Sequence, residues 1–128
     1  MADFLQHAIN DSRRVPNMVL TGHVHNYQRI QRSIAADTVT PFLVAGNGGY
    51  YHLHGMNADD GTKDPNTEAH LIASNHKNHG YVTLTVDANN ISGTMTIVSD
   101  DGSPSSQADK FSYPAAAQYL ADGVIVSL

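Results

Sequence analysis

The stretch Gly80–Ser99, GYVTLTVDANNISGTMTIVS, admits few structures. Tyr81, Thr83 and Thr85 alternate with Val82, Leu84 and Val86, which predicts a strand with one polar and one apolar side. Asp87-Ala88-Asn89-Asn90 is a tight turn, and Ile91–Ser99 alternates again, with Ile91, Met95 and Ile97 on one side. Two such runs joined by a short turn form a β-hairpin.

The rest of the chain is less periodic. Residues 3–14 read as a helix: Asp3 caps it, Gln6 completes a capping box, and Phe4, Leu5, Ala8 and Ile9 form an apolar face. Arg13 and Arg14 fall at the negative end of its dipole, and Pro16 stops it. Asn17–Thr21 is apolar without alternation, as a strand covered on both faces would be. Tyr27–Ile34 continues as an irregular extended piece. Thr38–Ala45 is a further strand, with Pro41 pointing to an edge position or a start at Phe42. Gly46-Asn47-Gly48-Gly49 is a turn. Tyr50 to Lys77 shows no clear period, and Asn57–Asn66 reads as a long surface loop. Asp100–Ser106 is a loop, and Tyr113–Leu128 is a short helix followed by a terminal strand at Val124–Leu128. Residues 1–128 are read as a single domain of α+β class, mostly β strands with an N-terminal helix.

Composition excludes several classes of function. The formal charge is −5, from seven basic and twelve acidic residues, and no basic cluster stands out, so nucleic-acid binding is not expected. No apolar run is long enough to span a membrane, and MADFLQHAIND has no basic segment leading into an apolar one, so neither a membrane span nor a signal peptide is expected. There is no cysteine, which removes disulfides, thiolate metal ligands and cysteine nucleophiles. The compartment stays open. Histidine is the enriched type, with eight residues at 7, 23, 25, 52, 54, 70, 76 and 79. Most read individually as surface or packing residues. His52 and His54 flank Leu53, and His76 and His79 sit in the loop before the hairpin.

The exception is VPNMVLTGHVHNYQR, where an apolar run ends in Gly22-His23-Val24-His25. If the strand continues, His23 and His25 point to one side, with Cα atoms roughly 6.5 Å apart. That spacing is awkward for one ion and suits two ions about 3.5–4 Å apart, each taking one imidazole. Gly22 removes a Cβ where the chain turns under a crowded site. The pair also follows the carboxyl end of a strand, where open α/β sheets collect ligands.

MVLTGHVHNYQR resembles the last metal-binding motif of the calcineurin-like metallophosphoesterases, and most closely their purple-acid-phosphatase-like branch. The preceding helix, PFLVAGNGGY and the closing hairpin are similar to the C-terminal part of that family, over about residues 3–100. The resemblance implies the C-terminal half of an α/β/β/α sandwich. It implies that His25 binds the first metal and His23 the second, with two divalent or trivalent ions (Fe, Mn or Zn) in the complete enzyme. Such ions hold a hydroxide that attacks the phosphorus of a phosphate ester. Gly22, Asn26 and Tyr27 would line the pocket. Arg29 would contact phosphate through its guanidinium fork or, on the plainer reading, form an ordinary ion pair.

The chain departs from the family at one point. The earlier motifs that supply the bridging aspartate and most other ligands are absent, and only 22 residues precede His23. Two neutral imidazoles cannot balance two multivalent cations. The expectation is therefore the C-terminal portion of a binuclear-metal phosphoesterase, inactive alone, with metal partial or absent. Exposed apolar faces would then be covered by homo-oligomerisation. The alternative is a non-catalytic β-rich oligomerising or metal-binding module. A cupin is one such module with His-x-His, but it wants a glutamate soon after the pair, and no acid follows here until Asp37.

Overall fold

The computed structural model describes residues 2–35, 38–126 and 128, with the side chains of Ala2 and Ala35 left aside. It confirms an α+β chain dominated by strands. The helix α1 (Ala2–Ser12) is followed by β1 (Arg14–Val15), β2 (Val19–Thr21), β3 (Tyr27–Ala35), β4 (Thr38–Ala45), β5 (His70–Asn75), β6 (Gly80–Val86), β7 (Asn90–Val98), β8 (Pro104–Pro114) and β9 (Gln118–Tyr119).

These strands form three sheets. Four strands run in the order β2-β4-β3-β5, three in the order β6-β7-β8, and β1 pairs with β9. Among the described residues only β2 and β4 pair in parallel, with Val19 opposite Phe42 and Thr21 opposite Val44. Successive residues of β4 face opposite ways, and its two sides are covered by different layers. Leu43 joins Tyr27, Met95 and Phe111 in the core between the four- and three-stranded sheets. Phe42 packs instead with Ile9, Val15, Ile34, Leu120 and Val126, beneath α1 and the C-terminal segment. The layers therefore run helix, sheet, sheet.

The hairpin falls where alternation placed it, as β6 and β7, with Tyr81 opposite Thr96 and Val86 opposite Ile91. Asp87 closes its turn, its carboxylate accepting from the amides of Asn89 and Asn90. Met95 is fully buried, while Tyr81 faces solvent.

Several expectations need correction. The helix ends at Ser12, before Arg13 and Arg14, because Arg13 takes a left-handed φ of 60°. Its guanidinium then donates to the carbonyls of Val124 and Ala121, and Arg14 enters β1. Gln6 accepts from the amide of Leu128 rather than serving a capping box, and Phe4 is exposed. β2 is an edge strand with Leu20 out in solvent, not a strand buried on both faces. Tyr27–Ala35 is a continuous strand inside its sheet, and it keeps the expected irregularity: its register shifts against β5 between Arg29 and Ile30 and against β4 between Ser33 and Ala35. Pro41 sits in β4 between two neighbours without harm, because β2 pairs only with Phe42 to Val44 and no ladder partner faces Pro41 on that flank.

β5 lies in the stretch that shows no clear period, and β8 begins inside the expected Asp100–Ser106 loop and runs through residues 107–112, to which the sequence assigns no element. β8 is polar and mostly exposed along its length, so it carries little apolar signal. Among the described residues no second helix or terminal strand forms after Pro114 other than β9. The chain makes the two-residue β9 and then runs irregularly to Val126, with Ser127 outside the described residues.

Candidate functional site

The GHVH segment departs from the strand at Thr21 and bends. The amide of Val24 donates to the carbonyl of Gly22 (2.9 Å), closing a three-residue turn about His23. The amide of Asn26 donates to the carbonyl of Val24 (2.8 Å), closing a second about His25. His23 has a φ of +71°, the signature of the rarer, strained γ-turn. The strand-like spacing expected for the two histidines is therefore replaced by two consecutive turns.

The crowded glycine is Gly46, not Gly22. A Cβ on Gly22 would meet nothing within 4 Å, whereas one on Gly46 would run into the carbonyl of Val24. Gly46 follows β4, and its amide donates to the carbonyl of Asn26 (3.0 Å). The end of β4 thus supports the histidine turn from below, and only a bare backbone allows that approach.

The two imidazoles have different surroundings. His23 is exposed. His25 is half-buried, its ring 4.5 Å from that of His54 and 4.1 Å from that of Tyr50. Backbone bonds fix this arrangement: the amide of His54 donates to the carbonyl of His25 (2.9 Å), and the amide of His25 donates to Nδ1 of His54 (3.2 Å). Nδ1 of His25 is buried without a hydrogen-bond partner. His54 was read as a surface or packing residue. What links it to His25 is a loop closure across 29 positions, which no local pattern announces.

Asn26 is buried, and its side chain ties the Tyr50–His54 loop to β3 by donating to the carbonyl of His54 (3.2 Å). Tyr27 and Arg29 point the other way, into the core between the sheets. Arg29 grips Asp109 with two parallel bonds, Nε to Oδ2 at 2.6 Å and Nη2 to Oδ1 at 2.9 Å, and reaches the Tyr113 hydroxyl at 2.7 Å. The Tyr27 hydroxyl donates to Asp109 at 2.6 Å. Burial would raise the Asp109 carboxyl, but the bonds from Arg29 and Tyr27 outweigh it and hold the group below the usual carboxylate range. Burial and the bond to Asp109 push the Tyr27 phenol well above its ordinary value. In this fold Tyr27 and Arg29 staple two sheets; for Arg29 this is the plainer of its two readings, an ion pair, here a buried one.

The donor chemistry fits a metal centre in part. His23 and His25 each offer one neutral nitrogen at the end of a parallel strand pair. No group of three or more His, Cys, Asp or Glu side chains suited to holding an ion gathers among the described residues. No helix among the described residues is long and apolar enough to cross a membrane. No family model matches the chain, and no curated protein or solved structure matches it.

Proposed function

We propose that this chain supplies the C-terminal, histidine-bearing part of a binuclear-metal phosphoesterase acting on phosphate esters, with His23 and His25 as its metal ligands. The observation that carries the reading is the strained turn. A β-carbon-bearing residue is held at positive φ beside the carboxyl end of parallel strands, where it presents an exposed imidazole. Strain of this kind persists where the surroundings impose it, and it clusters at sites that bind or react.

The sheet supports the same reading. β2 is the outermost strand of its sheet, and its neighbour is parallel. A further parallel strand on its free edge would end beside Gly22–His25 and could bring acidic ligands there. When bound, the metal pair would supply an activated water and neutralise phosphoryl charge. The role of this chain is narrower. Its γ-turns orient two imidazoles, and the Gly46 contact holds them over the end of β4. With two imidazole donors and no cluster of three or more ligands among the described residues, the isolated chain should bind metal weakly and not turn over.

The test is a Zn(II) titration followed through imidazole nitrogen resonances. The signals of His23 and His25 should move together, His23→Ala should abolish the joint response, and the chain alone should leave p-nitrophenyl phosphate intact. Metal that moves His70 or His76 but neither member of the pair would remove this reading and leave the β-rich module in its place.

A further inference from the structure

His54 closes on the turn that bears His25 at three points. Its amide donates to the carbonyl of His25 (2.9 Å), its carbonyl accepts from Nδ2 of Asn26 (3.2 Å), and its ring Nδ1 accepts from the amide of His25 (3.2 Å). The third bond decides the state of the ring. A backbone N–H is an obligate donor, so Nδ1 must offer it a lone pair. In a neutral imidazole the proton then sits on Nε2. Turning the ring over would aim the same amide at a C–H and leave it unpaired.

The two nitrogens of this ring therefore serve different ends. Nδ1 belongs to the fold, since it satisfies an amide in the middle of the double turn. Nε2–H has no such use: His54 is exposed, and its Nε2 makes no hydrogen bond among the described residues. An imidazole is rigid, so Nε2 faces away from the His25 backbone that Nδ1 touches. The ring lies on that of His25, with centroids 4.5 Å apart and planes 27° from parallel. Nδ1 of His25 is buried, which leaves Nε2 as the nitrogen an ion can meet. Two imidazoles thus stand face to face, one with a nitrogen to give to a cation and the other with an N–H to give to an anion. Arg29, the nearest guanidinium along the chain, cannot take that second part, because Asp109 holds it between the sheets.

We infer that His54 contacts the substrate: its Nε2–H donates to a phosphoryl oxygen of the ester held at His23 and His25. The contact rests on the phosphoesterase reading; the tautomer does not. A donor oriented by the fold before charge arrives needs no reorganisation to meet it. Here the orientation comes from the backbone, since rotating the ring away would orphan the amide of His25.

The first measurement uses the chain alone. The imidazole nitrogen resonances of His54 should show the proton on Nε2 and a lone pair on Nδ1. A proton on Nδ1, or an even mixture of the two forms, would overturn the inference at its root. The second adds Zn(II) and then methyl phosphate, with methanol as the control that lacks a phosphoryl group. Methyl phosphate should move the Nε2 proton of His54 downfield and slow its exchange with water; methanol should do neither. Replacing His54 by Nε2-methylhistidine keeps the ring, its stacking and the Nδ1 acceptor and removes the donor. This variant should take up Zn(II) at His23 and His25 as the parent chain does, and bind methyl phosphate about tenfold more weakly. Binding equal to that of the parent chain would overturn the contact and leave the phosphoesterase reading intact. Zn(II) that moves neither His23 nor His25 would remove that reading, and the contact with it.

Discussion

At His23 a single dihedral angle separates stability from function. A non-glycine residue in left-handed backbone costs about 1–3 kcal/mol. Glycine pays no such steric penalty. His23→Gly should therefore raise stability by roughly 1 kcal/mol in urea unfolding, while His23→Ala should not. Equal effects of the two substitutions would mean the turn carries no strain. Asp109 presents the opposite case, a carboxylate the fold needs. Asp109→Ala leaves Arg29 buried without its partner, and breaking such a pair costs about 3–5 kcal/mol. Because the folded carboxyl is held low, its contribution is fully present above the unfolded value near about pH 4 and is lost as pH falls through the folded one. Thermal midpoints should thus drop steeply on acidification below about pH 4, and less steeply in Asp109→Asn. Some acid loss should persist in that variant. Asp64, Asp87 and Asp101 are also held low, by bonds from Thr67, from the amide of Asn89 and from Ser103 within their own turns.

Among the elements, β2 is the exposed liability. Val19, Leu20 and Thr21 carry no charge or proline to blunt a free edge, and Leu20 is 58% exposed. A second copy pairing across a two-fold axis would cover it. Sedimentation at micromolar concentration should show self-association of the wild-type chain and a monomer for Leu20→Lys; a wild-type monomer would end the idea. The same strand shows how far the residues alone could be read. The β6–β7 hairpin was legible because one face is buried and the other wet, and strict alternation records that contrast. Phe42 and Leu43 marked β4 but could not reveal that they enter different cores, since side assignment depends on which layers fold over the sheet. β8 was hidden because an edge strand with most of its side chains in water needs no apolar pattern. Only Phe111 and Tyr113, alternating around Ser112, carry its signal. At the site, GHVH was visible as a motif, but its double turn was not. That conformation is imposed by contact with Gly46, and the His54 and Tyr50 neighbours arrive through long-range closure. The ion pair expected of Arg29 on its plainer reading was legible, but its partner was not: Asp109, which also accepts from Tyr27, lies 80 or more positions away on a strand that local pattern did not show.

The whole molecule is built around two cores that share one sheet, and this sets the order in which it should open. The core between the sheets is closed by long ladders, β3–β4 and β6–β7–β8, and by the buried Arg29–Asp109 pair. The other core is closed by α1 and the C-terminal segment, which are joined by polar links from Asn10 to Val126 and Gln6 to Leu128 and, just past the helix, from Arg13 to Leu120, Ala121 and Val124. Regions held by fewer buried contacts exchange their amides at lower cost. In native-state hydrogen exchange, α1 and residues near Leu120 should exchange well before β3, β4 and β7. Ile9→Ala should accelerate exchange in the first group while leaving the hairpin protected. Leu43→Ala, which touches the sheet–sheet core, should cost about 2–5 kcal/mol and loosen every element together. If Ile9→Ala exposes β6 and β7 to the same degree as α1, the two cores unfold as one unit and the partition proposed for them fails. If the partition holds, the turn bearing His23 and His25 stays seated on the sheet while the helical layer opens. This follows because Gly46, Asn26 and Tyr27 all belong to the slow core or its margin.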